Sequence, residues 1–279
     1  SHGPLFDAAA IFSEAGYLLR IHRTTAPGDA TETVAREGSQ YDLVVASGGD
    51  GTLNETIAGL VQLDNPPLLG YLPQGSTNDF AASLHIPATP LNAAAAEVIV
   101  QEHVQVLDVG LWNQRPFAYV ASFGAFTRTS YTASQASKNA LGHFAYILEG
   151  MKDLNSLRPY RIRVTADGEV LDGDYLFGAV CNSTSIGGLM KLDPERVVLD
   201  DGKFELLLIP SPKTPLELQN LMLALLNQHY DSEGLVFRHI SSLHLETEED
   251  LPWSLDGEYA PSTPSVDIVN RQGALRILL

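Results

Sequence analysis

Two short stretches carry residue types that could move a phosphoryl group. In Ser47-Gly48-Gly49-Asp50-Gly51-Thr52-Leu53-Asn54-Glu55, three glycines surround one acid directly after the apolar run Leu43 to Ala46. Glycines behind a buried strand omit Cβ atoms, so backbone N–H groups can approach an anion, and the helix starting near Thr52 points its positive end the same way. Gly48, Gly49, Gly51 and Thr52 therefore read as a phosphate loop, with Asn54 and Glu55 as further candidates in the first helical turn, where an acid also simply favours the helix dipole. Asp50 opposes a phosphate, because like charges about 4 Å apart cost about 4 kcal/mol at an effective dielectric of about 20. A divalent cation resolves the conflict: Asp50 contributes a Mg²⁺ contact, direct or through water, and the metal screens the transferring phosphates.

The second stretch, Pro73-Gln74-Gly75-Ser76-Thr77-Asn78-Asp79-Phe80-Ala81, follows the next apolar run. Gly75 permits close approach, Ser76 and Thr77 offer hydroxyl and N–H donors, and Asn78 and Asp79 are suited to cap a helix beginning there. Two such loops on successive strands form one site at the C-terminal edge of a parallel sheet, where open α/β sheets bind ligands. No G-x-x-x-x-G-K-[ST] is present, which excludes a P-loop NTPase as far as a motif can.

Elements must place these loops. From Tyr17 to about Val104 short apolar runs alternate with helix-like segments: strands at Tyr17 to His22, Asp42 to Ala46 and Leu68 to Leu72, and helices at Ala30 to Glu37, Thr52 to Leu60, Thr77 to Ser83 and Leu91 to Val100. This β–α rhythm predicts a parallel sheet flanked by helices. After Val104 strands dominate, at Val104 to Leu111, Phe117 to Phe123, Arg161 to Ala166, Tyr175 to Cys181, Lys203 to Ile209, Phe237 to Leu245, Ser265 to Asn270 and Ala274 to Leu279, with helices at Asn139 to Asn155 and Thr214 to His229. The division is therefore a nucleotide-type α/β domain over 1–104 and a mainly antiparallel β domain over 105–279, its last strand a candidate to return to the first domain. A helical stretch follows Ser1-His2-Gly3-Pro4 with no first strand before it, so a segment upstream is expected.

Two further sets of acids stand out. Leu199-Asp200-Asp201-Gly202 reads as a turn into a strand, and Ser185 to Lys191 as a loop. Ser254-Leu255-Asp256-Gly257-Glu258 reads as a hairpin with Asp256-Gly257 at its tip. Neighbouring carboxylates raise one pKa, which suits proton transfer, and strand alternation would let Glu258 share a face with Asp256.

Composition bounds the rest. A 44% hydrophobic and 8% aromatic content over 279 residues is that of a globular chain of two domains. No apolar run approaches the roughly 18 residues of a membrane span, and no secretion signal is seen. Cys181 is the sole cysteine, so no internal disulfide forms, a reducing cytoplasm is expected, and no zinc site is proposed. A net charge of −17 argues against nucleic acid. Yet Arg115 to Arg163 holds seven basic residues against two acidic ones, a local +5, and this stretch, with Arg128, Lys138 and Lys152, is expected to dock on an anionic membrane surface.

GGDGTLNE followed by GSTNDFA resembles the diacylglycerol kinase catalytic domain family, which also includes sphingosine and ceramide kinases. KNALGHFAYILEGMKDL (138–154), DPERVVLDDGKFEL (193–206) and LDGE (255–258) extend the resemblance to the whole fold. It implies an NAD-kinase-like nucleotide domain and a β-sandwich lipid domain, with ATP on the first and a lipid headgroup between them. It further implies Asp79 in a polar network beside the metal, Asp201 as ligand of a second, structural Mg²⁺ with Asp200 behind it, and the LDGE acids at the cleft. Glu258 is put first as catalytic base, Asp256 second and Asp50 third. The implied activity is an ATP- and Mg²⁺-dependent kinase of diacylglycerol, acting at the membrane surface as a peripheral protein, with a homodimer as a candidate assembly. Rival acceptors are a sphingoid lipid, phosphatidylglycerol or NAD, since NAD kinases share the G-G-D-G-T loop; the rival of another class is a catalytically silent lipid or nucleotide sensor. One departure is that the family's N-P-x-S-G loop has no counterpart before Gly3-Pro4-Leu5-Phe6.

Overall fold

The computed structural model describes residues 4–75, 78–88, 93–124, 158–186, 190–192, 196–227, 229–230 and 234–279. The chain forms two compact units, Ser1–Val109 with Gly273–Leu279, and Gly110–Gln272.

The first unit contains α1 (Pro4–Glu14), α2 (Asp29–Glu37), β1 (Leu43–Gly48), α3 (Asp50–Leu60), β2 (Leu68–Pro73), α4 (Asp79–Ser83) and α5 (Ala93–Ile99). β1 and β2 run parallel and in step, from Leu43 beside Leu68 to Gly48 beside Pro73, so the loops that follow them leave the sheet at one level. The connection is α3, where Leu53, Ile57 and Leu60 are buried at helical spacing. Ile277 from the end of the chain lies parallel to Leu69 on the other side of β2.

Tyr17 to His22 is not a strand. Leu18 is fully exposed and Ile21 largely so. Among the described residues β1 pairs with β2 alone, and β-type side chains without a neighbouring ladder do not hold an extended segment in a sheet. α3 starts at Asp50 rather than Thr52, and α4 at Asp79 rather than Thr77.

β3 (Val104–Trp112) leads into the second unit, which continues with β4 (Arg115–Phe117), β5 (Val120–Gly124), β6 (Tyr160–Ala166), β7 (Glu169–Cys181), β8 (Ser185–Ile186), β9 (Met190–Lys191) and β10 (Phe204–Pro210). After these come α6 (Pro215–Leu226), β11 (Val236–Ile240), β12 (Ser242–Glu246), β13 (Trp253–Leu255), β14 (Glu258–Ala260) and β15 (Ser265–Leu278), which leads back. β7 is the hub and pairs antiparallel with β6, β5 and β10. Alternate residues of β6, from Tyr160 through Ile162 and Val164 to Ala166, enter the core. Trp253 there meets Phe123 at 4.9 Å and Trp112 at 6.1 Å between ring centroids.

Several strand boundaries differ from expectation, and at two breaks an aspartate takes backbone N–H groups from the ladder. The run Phe117 to Phe123 breaks at Ala118-Tyr119, whose N–H groups donate to Asp256. Phe237 to Leu245 breaks at Ser241, where Ser241 and Ser242 N–H both donate to Asp167 at 2.9 Å. Conversely, the two runs from Ser265 join into one β15, because Gly273, with φ +60, continues the strand while its N–H donates to Asp108 at 2.8 Å. The helix expected at Asn139 to Asn155 lies outside the described residues.

Candidate active site

The first loop closes tightly. Gly49 is the N-cap residue of α3 and Asp50 its first residue. Gln74 N–H donates to the Gly48 carbonyl at 2.7 Å, and Gln74 Nε2 to Ser47 Oγ at 2.6 Å, tying the second loop to the first. A Cβ on Gly75 would lie 2.8 Å from the Gly49 Cα and 2.7 Å from Asn78 Oδ1. The two glycine loops therefore meet backbone to backbone, as a phosphate cradle requires. Gly48 serves a different end, since a Cβ there would collide with the Thr52 side chain at 2.5 Å.

Asp50 bridges the loops. Its Oδ2 accepts the Asp79 N–H at 3.3 Å, and the backbone amides of Asn78 and Phe80 also favour its charged form. Asp50 thus does the capping expected of Asn78, which occupies the N-cap position of α4 in the left-handed region (φ 52) and donates its Nδ2 to the Gly75 carbonyl at 2.7 Å. Asp50 Oδ1 is buried and, among the described residues, accepts no hydrogen bond. Burial pushes the Asp50 carboxyl above its ordinary value despite the three amides. Burial and the Asp50 charge push Asp79 up to about 6, and the same two causes raise the Tyr71 phenol. Tyr71 places its hydroxyl 3.4 Å from Asn78 Oδ1.

This pocket fits a divalent cation: two adjacent half-buried carboxyl groups, one with a buried oxygen lacking a donor among the described residues, are what a hard ion would satisfy. Asp50 would hold it, with Asp79 alongside. Gly51, Thr52 and Asn54 lie in the first turns of α3. Glu55 faces elsewhere, accepting Gly28 N–H at 2.8 Å and Ala30 N–H at 3.3 Å at the start of α2. Ser76 and Thr77 lie outside the described residues.

In the second unit, Asp201 stands in a turn, its Oδ1 accepting Lys203 N–H at 2.9 Å. Asp200 is exposed, and its carbonyl accepts Gln272 Nε2 at 3.1 Å. Nearby, Glu205 on β10 is only 2% exposed and its Oε2 accepts no hydrogen bond. Burial first, then the Asp201 charge, pushes its carboxyl up to about 8. Sequence reading passed over Glu205; the available signal was one acid inside the apolar run Phe204 to Ile209. Among the described residues no three His, Cys, Asp or Glu side chains converge, so an ion at Asp201 would rely on carbonyls and water as well. Ser185 to Lys191 contributes the paired ends β8 and β9.

Asp256-Gly257 is the tip of the β13–β14 hairpin, with φ values of 49 and 84. Glu258 is exposed at the start of β14, whereas Asp256 is buried. The two acids do not share a face as expected, because Asp256 is a turn residue in the left-handed region and lies outside the strand's alternation.

Residues 5–112 match the model of the diacylglycerol kinase catalytic domain, and residues 120–279 that of the YegS C-terminal NAD kinase beta sandwich-like domain. A diacylglycerol kinase of Bacillus subtilis is 34% identical over 270 residues, covering 96% of this chain and 88% of the relative. This chain belongs to the diacylglycerol kinase family. A diacylglycerol kinase of Staphylococcus epidermidis is 33% identical over 93% of this chain and 81% of its own length. A solved diacylglycerol kinase of Bacillus anthracis superposes with a TM-score of 0.74 at 25% identity, covering 99% of this kinase and 90% of that chain. An NAD kinase of Archaeoglobus fulgidus, solved in complex with ATP, shares the fold with a TM-score of 0.55 at 12% identity. This kinase accordingly has an α/β nucleotide-type unit with parallel strands and a β-rich C-terminal unit. Among its described residues no helix is long and apolar enough to cross a membrane.

Proposed function

We propose that this kinase transfers the γ-phosphoryl group of ATP to the free hydroxyl of diacylglycerol, giving phosphatidic acid, with Mg²⁺ as cofactor. The observation that carries the reading is Asp50, which ties two touching glycine loops together and keeps one buried carboxylate oxygen without a donor. The Gly48–Thr52 and Gly75–Asn78 loops bind and orient the phosphates. Phosphoryl transfer asks a protein mainly for such positioning and for charge stabilisation. When bound, Mg²⁺ neutralises charge on the phosphates. The acceptor oxygen forms a bond to the γ-phosphorus as the bridging oxygen leaves with ADP, and the hydroxyl proton passes to Glu258, whose exposed carboxylate is not committed to a cap.

The names of the relatives favour diacylglycerol over a sphingoid lipid, phosphatidylglycerol or NAD. The lipid would be met at a membrane surface by peripheral association in the cytoplasm. Arg128, Lys138 and Lys152 lie outside the described residues, while Arg161 of the same basic stretch is already paired with Asp172 and Asp174. Turnover of ATP and Mg²⁺ with diacylglycerol, sphingosine, phosphatidylglycerol or NAD, each alone, tests the proposal. Production of phosphatidic acid at the highest kcat/KM is expected; preference for another acceptor overturns the substrate, and no turnover with any overturns the enzyme in favour of a sensor.

A further inference from the structure

The Asp256 side chain is unusual for a hairpin tip. Two-residue turns with both φ values positive point their side chains towards water, yet Asp256 is 3% exposed. Its Oδ2 accepts Ala118 N–H at 2.6 Å, and its Oδ1 accepts Tyr119 N–H at 3.0 Å and Val120 N–H at 2.9 Å. The backbone returns the contact, Asp256 N–H donating to the Val120 carbonyl at 2.8 Å. We propose that Asp256 is a positioning residue: its carboxylate anchors the β13–β14 hairpin on the amides of residues 118–120 and thereby aims Glu258, without exchanging a proton itself.

The three amide donors engage both carboxylate oxygens of Asp256 and commit them to the backbone of residues 118–120. The same contacts leave Glu258 between two fixed points. On one side is the anchored turn; on the other Ala260 is buried, and the carbonyl of Tyr259 accepts Arg115 Nη1 at 3.1 Å. β13 is itself held to β5, Leu255 beside Ala121 and Trp253 beside Phe123. With its neighbours fixed, the exposed Glu258 carboxylate has only its own side-chain torsions to settle. Misplacing a reacting group by about 1 Å costs about a hundredfold in rate.

The role of Glu258 rests on the proposed kinase reaction; the anchor does not. Two measurements separate them. Amide hydrogen exchange in Asp256→Ala should speed up at Ala118, Tyr119 and Val120 and little elsewhere; unchanged exchange there overturns the anchor. For the reaction, kcat against pH is compared in wild type, Asp256→Asn, Gly257→Ala and Glu258→Gln with ATP, Mg²⁺ and diacylglycerol. Gly257→Ala strains the turn, its φ being +84, without touching the carboxylate, and a Cβ there meets nothing within 4 Å. Asp256→Asn and Gly257→Ala should each lower kcat by up to about a hundredfold while keeping the acid limb of the profile. Glu258→Gln should remove that limb. If Asp256→Asn removes the limb and Glu258→Gln keeps it, Asp256 is the base and the proposal falls. Should Asp256→Asn fail to fold, Gly257→Ala still decides, since a normal kcat there shows that turn geometry does not set the rate. Wild-type protein without turnover refutes the kinase reading and the aiming of Glu258, and the exchange result alone then decides the anchor.

Discussion

Asp50 at the head of α3 and Asp256 at the tip of the β13–β14 hairpin lie in different units, and each carboxylate is set against three consecutive backbone amides, of residues 78–80 and 118–120 respectively. Each fastens one turn to another distant in sequence. They differ in what remains. Both oxygens of Asp256 are engaged by backbone N–H groups, whereas Asp50 keeps Oδ1 buried without a donor and has Asp79 beside it, held up to about 6 partly by the Asp50 charge. The same anchoring device thus yields a finished structural contact in one place and an unsatisfied one in the other. An acceptor left unsatisfied in a low-dielectric pocket is available to a ligand.

The largest effect that would test this contrast is on turnover. Asp50→Ala, which removes both the cap and the spare oxygen, should lower kcat by about 10²–10³ or more, with the circular dichroism of the folded protein retained. Activity above about a tenth of wild type would end the role of Asp50. Next in size is Gly75→Ala. Its Cβ would press on the Gly49 Cα and Asn78 Oδ1, overpacking of a kind that costs about 1–3 kcal/mol. KM for ATP should rise, and an unchanged KM would show that the loops need not touch.

Two smaller effects belong to the second unit. If Asp201 helps to hold a cation, Mg²⁺ should raise the melting temperature of wild type more than that of Asp201→Asn; equal melting temperatures for both proteins at every magnesium concentration would rule the ion out there. Glu205 gives a pH effect of definite sign. Its folded value of about 8 lies above the unfolded value, which is about 4.3. The folded state therefore keeps a proton that the unfolded state releases, and the associated stability is full below about pH 4 and lost as pH rises towards 8. In EDTA, Glu205→Gln should melt close to wild type at pH 4 and higher than wild type at pH 9. An equal difference at both values would show that the carboxyl is not neutral in the fold.

Much of the first unit was legible, because its glycine loops and apolar runs are local signals: β1, α3 and β2 appear within two residues of where the sequence places them. What escaped was set at long range. Tyr17 to His22 has strand-forming residues but, among the described residues, no strand to pair with. The breaks at Ala118 and Ser241 depend on Asp256 and Asp167, and the joining of β15 at Gly273 depends on Asp108. None of those acids is near its target in sequence. The site shows the same division. The touching of Gly49 and Gly75 was foreseeable from two loops on successive parallel strands, whereas the diversion of Glu55 to α2 and the burial of Glu205 follow from packing that no spacing encodes.

The path of β15 bears on how the protein is made. The first unit owns residues 273–279, with Ile277 beside Leu69 and Leu279 N–H donating to the His103 carbonyl at 2.8 Å. A ribosome delivers about 5–20 residues per second, so the whole of 110–272 must emerge, over roughly ten seconds or more, before that strand arrives. For that interval β2 has a bare edge beside Leu69, open to pairing with another strand.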